Sequence, residues 1–195
     1  MGTGEANFLS GVARQRGVPE PIDVAKLKEL FFLEYLTALK SEKGGEQIAA
    51  PGAKALVAAC RAAGLRTAVA SAADLVKVDA SLDAVGFVPR SDFFDAVVTA
   101  DAFERLKPAP DAFLAAAAAV GTDPRNCVVI EDAPAGVRAA RAAGMRVLGV
   151  CTTLTRGQML EEGPDSVVKD ASEVTVEELM GLVDSSTVVA AAASR

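Results

Sequence analysis

The chain has 195 residues, 51% of them hydrophobic, enough to fill the core of one ordinary domain with a small appendage. A formal charge of -6 without any basic block argues against nucleic acid or an anionic membrane as the main partner. Histidine is absent, which excludes Ser/His and Cys/His nucleophile systems and nearly all zinc catalysis. Whatever chemistry exists must use carboxylates, lysine, hydroxyls and backbone.

The opening MGTGEANFLS lacks the basic segment and apolar core of a signal peptide, and no run of about 18 apolar residues suggests membrane insertion. A transit peptide upstream in a longer precursor stays open. The next elements read as two helices, GEANFLSGVARQRG and DVAKLKELFFLEYLTALKSEKG, with no strand between them. A polar connection through Gly44 and Gly45 follows, so residues 1–46 are expected to form an all-helical appendage.

From Ala50 onward helices and strands alternate: helix PGAKALVAACRAAG, strand LRTAVAS, helix AADLVKVDASLDAVG, strand FDAVVTA, then helix PDAFLAAAAAVG. The Ala run at 115–119 needs no functional reading, since Ala is the best helix former and lets helices approach closely. Strand CVVIED, helix PAGVRAARAAG and strand MRVLGV come next, then a weaker strand SVVKD and helix VTVEELMGLV. Short apolar strands alternating with amphipathic helices predict a doubly wound α/β core over 47–183, a Rossmann-like parallel sheet covered on both faces. The tail from Asp184, SSTVVAAAASR, has no turn chemistry or partner pattern and is expected to be flexible. Cys60, Cys127 and Cys151 lie in or beside apolar runs with no CxxC pair, as buried thiols of a reducing compartment do.

In an open parallel sheet the loops at the carboxyl ends of the strands gather on one edge, where ligands bind. LRTAVAS ends in Ser71, FDAVVTA is followed by Asp101 and then Lys107, and CVVIED ends in Glu131 and Asp132. Each also has a purely structural reading: Ser71 as a helix N-cap, Lys107 as a solvated lysine, Asp132 as the cap of the helix opened by Pro134 with Glu131 facing water. The order Ser, Lys-Pro-x-Pro-Asp, Glu-Asp-x-x-x-Gly at three successive strand ends, in VASAA, RLKPAPDAF and VVIEDAPAGVRAARAAGM, resembles the haloacid dehalogenase (HAD) superfamily. The likeness covers about residues 1–182. It is to the subfamily of phosphoglycolate phosphatases and β-phosphoglucomutases, whose helical cap precedes the second motif. MGTGEANFLSGVA and FDAVVTADAFERLKPAPD also resemble a plant chloroplast HAD domain, so chloroplast stroma joins cytoplasm as an expected location.

The resemblance implies a Mg²⁺-dependent phosphate-monoester hydrolase acting through an aspartyl phosphate on small phosphorylated metabolites. It gives Ser71 and Lys107 to the phosphoryl group, with Ala72 beside them, and Glu131 and Asp132 to Mg²⁺. Glu5 falls in the cap region where sugar-phosphate mutases often carry a basic residue, which disfavours a sugar bisphosphate. The sequence after Ser71, AADL, lacks the extra hydroxyl and amide groups of many relatives.

The family's nucleophile motif, Asp-x-Asp at the end of a first strand, occurs nowhere in the sequence. Two expectations follow. One is a HAD domain incomplete as written and inactive in isolation, fused to or associated with other domains in a longer precursor. The other is a non-catalytic regulatory or partner-binding module of the same fold. A receiver-like phosphoacceptor ranks lower, because there the acidic pair precedes the lysine. By the same resemblance the absent strand belongs between those ending in Ser71 and Asp132. The chain is then expected to be aggregation-prone, partly unfolded, or rescued by direct pairing of TAVAS with CVVIE or by a strand from a partner.

Overall fold

A computed structural model of the chain describes residues 3–41, 44–183 and 189–192. Helix α1 (Thr3–Gln15) packs on α2 (Val24–Leu39), which Asp23 caps by accepting from the Lys26 N–H. Where the sequence reads as a Gly-bearing connection there is a short helix, α3 (Gly44–Ile48). Two adjacent glycines read as a turn, but here tertiary packing sets the local structure, because α3 lies against both α2 and α5 (Leu75–Ala84). The Tyr35 hydroxyl meets Ser81 Oγ at 2.6 Å, tying α2 to α5.

The core begins at α4 (Ala53–Ala62) and β1 (Arg66–Ala70), and continues through α5, β2 (Ala96–Val98), α6 (Asp111–Ala119) and β3 (Cys127–Glu131). Then come α7 (Pro134–Ala142), β4 (Arg146–Val150), α8 (Arg156–Glu161), β5 (Ser166–Val168), α9 (Val176–Leu182) and β6 (Val189–Ala192). The six strands form one parallel sheet in the order β2-β1-β6-β3-β4-β5. Alternation along the strands divides the core. Cys127, Val129 and Val147 face Phe113 of α6, Val137 of α7 and Met159 of α8, while Val128, Leu148 and Val150 face Leu56 and Cys60 of α4 and Leu179 of α9. Cys60, Cys127 and Cys151 are free, and burial pushes the Cys127 thiol up to about 11. Among the described residues no helix is long and apolar enough to cross a membrane.

The tail departs most from its sequence reading. Val189–Ala192, expected to lie in a flexible end, occupies the centre of the sheet, parallel to both β1 and β3. Arg66, Thr67, Ala68 and Val69 pair on one side, and Cys127, Val128, Val129 and Ile130 on the other. TAVAS and CVVIE therefore do not pair directly, and the strand between them comes from the same chain. The physical reason is backbone satisfaction: two buried strands face each other across one strand's width, and any extended segment between them supplies partners to both.

Candidate active site

The carboxyl ends of β1, β2, β3 and β4 open onto one edge of the sheet, and Ser71, Asp101, Lys107 and the Glu131–Asp132 pair lie in the segments that leave them. Ser71 follows the last residue of β1 and is 0% exposed. Its N–H donates to the Val98 carbonyl at 2.9 Å and its Oγ accepts from the Ala73 N–H at 3.1 Å. It does not cap α5, whose N-cap is Asp74 accepting from the Lys77 N–H. Ala72 is exposed in the same turn.

Lys107 is not a solvated lysine. Its side chain is 12% exposed, and its Nζ donates to Glu131 Oε2 at 2.9 Å and to the Ala70 carbonyl at 3.4 Å. The amine thus spans the carboxyl ends of β1 and β3, the two strands that flank β6. It also lies 4.5 Å from the centroid of the Phe113 ring, an attraction that holds its stem against α6.

Glu131, only 5% exposed, is engaged through both oxygens: Oε2 takes the lysine, while Oε1 accepts the N–H groups of Asp132 and Ala133, both at 3.2 Å. It neither faces water nor points away as a bystander. Gly136 makes this possible. A Cβ built there would stand 2.1 Å from Glu131 Oε2 and 2.0 Å from its Cδ, so the third residue of α7 must lack a side chain for the carboxylate to tuck beneath the helix. Gly136→Ala adds helix propensity of up to about 1 kcal/mol, but must expel a tethered carboxylate, an overpacking cost of about 1 to 3 kcal/mol. The expected result in urea unfolding is a net loss of stability.

Asp132 is half-buried and does not cap α7, whose N-cap Ala133 has no side-chain bond. Its Oδ2 accepts from the hydroxyls of Thr152, at 3.0 Å, and Thr153. These threonines follow β4 and are the site residues that sequence reading misses; the signal is the pair of hydroxyls in CTT directly after the apolar run LGV. Asp101 is exposed at the end of β2. Glu5 lies in α1, with its side chain outside the described residues.

Among the described residues no cluster of three or more acidic, His or Cys groups could hold a metal ion. The donors at this edge are the Asp132 carboxylate with the Thr152 and Thr153 hydroxyls on it and the exposed Asp101, while both oxygens of Glu131 accept from lysine and backbone. They suit a cation that keeps most of its water and takes one or two carboxylates, as Mg²⁺ does. Lys107 is balanced by Glu131, so with Asp132 these three groups carry one positive and two negative charges. A phosphoryl anion meets net repulsion here unless a cation is bound.

A model of the family described as haloacid dehalogenase-like hydrolase matches residues 4–144. The chain is 48% identical over 180 residues to the chloroplastic protein SUPPRESSOR OF QUENCHING 1 of Arabidopsis thaliana, covering 92% of this chain and 17% of that protein. It is 34% identical over 139 residues to Protein CbbY of Rhodobacter capsulatus, covering 71% of this chain and 60% of the relative. Among solved structures, a point mutant of CbbY from Rhodobacter sphaeroides, in complex with xylulose-(1,5)bisphosphate, superposes with a TM-score of 0.72 at 28% identity. That match covers 85% of this chain and 71% of the other. The chain thus spans less than two thirds of the length of both curated relatives.

Proposed function

From the chain's membership of the haloacid dehalogenase-like hydrolases, we propose that it carries the phosphate-binding and charge-stabilising part of a phosphate-monoester hydrolase site for small phosphorylated metabolites. The observation that supports this best is the bridging position of Lys107, a buried amine held by Glu131 and the Ala70 carbonyl at the end of the central strands. A compact cation fixed there is placed to neutralise a phosphoryl oxygen. Ser71 Oγ already accepts from the Ala73 N–H, which leaves its own proton for a ligand oxygen. Ser71 has no exposed surface, while Ala72 next to it is exposed to a ligand at this edge. Residues 1–46 are the helical cap of this reading, and Glu5 belongs to its substrate side by resemblance alone.

Asp132 is the residue that would hold Mg²⁺, and Thr152 and Thr153 keep its carboxylate in place. Mg²⁺ when bound supplies positive charge to the phosphoryl group. Sequence reading gives Glu131 to the metal as well; the hydrogen bonds on both its oxygens support a different role, holding Lys107. Titration calorimetry with Mg²⁺ is expected to give weak binding that Asp132→Asn lowers by about tenfold or more, since the carboxylate that would hold the ion is lost. Equal binding by Asp132→Asn overturns the metal assignment.

The sequence contains no Asp-x-Asp, and neither β6 nor the residues after it include an Asp or Glu. Hydrolysis of an aryl phosphate by this chain, with Mg²⁺, is therefore expected at background. Turnover abolished by Lys107→Met would show that another carboxylate, with Asp101 the first to test, serves as nucleophile. The same observation favours a second reading, a phosphate-binding or regulatory module that has the fold without the covalent step. A reducing compartment, chloroplast stroma or cytoplasm, suits the three free thiols.

A further inference from the structure

We infer that the organic part of the phosphorylated metabolite is a short aliphatic chain without hydroxyls, bound in an apolar pocket of the candidate site; the inference rests on the phosphatase reading above. The pocket has a volume of about 100 Å³ and is lined in part by Glu131, Asp132 and Thr152, so it is continuous with the edge that holds the ion and the lysine. Thr152 and Ala50 are exposed and mark its mouth, whereas Cys60 and Thr67, 1% and 2% exposed, mark its inner end. The walls between are apolar: Leu56 and Val57 of α4, Ile130 of β3 and Val150 of β4. Ala53 and Ala171 complete the lining used here. Gly52 brings the start of α4 against the segment that carries Ala171, since a Cβ at Gly52 would stand 2.2 Å from the Ser172 backbone nitrogen.

Volume sets the length of the chain and lining sets its chemistry. A space of about 100 Å³ takes about three or four carbons, given that one water in the liquid occupies about 30 Å³. Each methylene that leaves water for these walls adds to affinity. A hydroxyl taken inside loses its water and finds few partners. Thr67 already donates its proton to the Phe93 carbonyl, the Cys60 thiol is a weak donor, and both oxygens of Glu131 are engaged. The phosphoryl group of such an ester stays at the mouth, toward Asp132 and Lys107, while its chain points inward. The pocket therefore selects an alkyl phosphate over a polyol phosphate of the same length.

The test is titration calorimetry on the full chain with Mg²⁺ present, using inorganic phosphate, methyl phosphate, n-propyl phosphate and glycerol 1-phosphate. The last two share a three-carbon chain and differ in two hydroxyls. n-Propyl phosphate is expected to bind more tightly than methyl phosphate by about tenfold, and glycerol 1-phosphate no more tightly than methyl phosphate. Ala53→Leu fills the pocket from α4 and is expected to bring n-propyl phosphate down to the level of methyl phosphate while leaving inorganic phosphate unchanged. Ala171→Leu fills it from the segment after β5 and replaces the first variant if that one does not fold; the comparison of esters in the parent chain decides the proposal by itself. It is overturned, with phosphate binding intact, if n-propyl phosphate gains nothing over methyl phosphate, if glycerol 1-phosphate binds as well as n-propyl phosphate, or if the gain survives both substitutions. Absence of binding by inorganic phosphate and by every ester overturns the phosphatase reading itself, and the proposal with it.

Discussion

Replacing Ala191 by proline is expected to lower the melting temperature by roughly 10 °C or to abolish cooperative unfolding. Ala191 pairs with Ala68 on one side and Val129 on the other, at the centre of a six-stranded parallel sheet. Proline there has no N–H to donate, and its ring is tolerated only at edges and bulges, so the cost is about 3 kcal/mol or more. Against a typical net stability of about 5 to 15 kcal/mol, that is a large share. For a chain of this size each kcal/mol moves the midpoint by about 2 to 4 °C. If β6 separates altogether, facing backbone groups of β1 and β3 lose partners together and the deficit grows. Circular dichroism on heating, with size-exclusion chromatography for association, measures both outcomes. An unchanged midpoint would mean that the tail does not hold the centre of the sheet.

That strand is also where sequence reading fails, for a reason that lies in its residues. The strands β1 to β4 are legible because runs such as RTAVA, CVVIE and RVLGV are short, apolar and bounded by turn signals. TVVAAAAS has no such punctuation, and its alanines favour helix. Its strand state comes from two distant neighbours needing hydrogen-bond partners, which no local window contains. The helices α3 and α8, of five and six residues, are hidden for a related reason, being shorter than two helical turns. At the site, strand-end logic finds Ser71, Lys107, Glu131 and Asp132 because parallel topology converts position in sequence into position on one edge. It does not find Thr152 and Thr153, since the end of MRVLGV is a fourth strand end whose hydroxyls become informative only when Asp132 is seen between them. Nor does it separate Glu131 from Asp132. That separation lies in Gly136, whose missing side chain draws Glu131 inward, and in the threonines, which hold Asp132 at the rim.

The division of labour between the two adjacent acids has a measurable consequence in the buried pair itself. Glu131→Ala removes the only carboxylate that, among the described residues, meets the Lys107 amine within 4.0 Å, and it leaves the ammonium largely out of water with a carbonyl at 3.4 Å. Removing one partner of such a pair costs about 3 to 5 kcal/mol, since the remaining charge has lost both water and counter-charge. It also strands the Asp132 and Ala133 N–H groups that Glu131 Oε1 accepts. Lys107→Met is the informative counterpart. It keeps an apolar stem against Phe113, and the carboxylate it leaves behind still accepts two backbone N–H groups, so a loss of about 1 to 3 kcal/mol is expected. The asymmetry, Glu131→Ala worse than Lys107→Met, follows from one partner having other hydrogen-bond donors at hand and the other having little besides its ion pair. Urea unfolding of both single variants and of the double variant gives the coupling between them. Losses that are equal, or larger for Lys107→Met, would place Glu131 outside the role of positioning the lysine and return it to the metal.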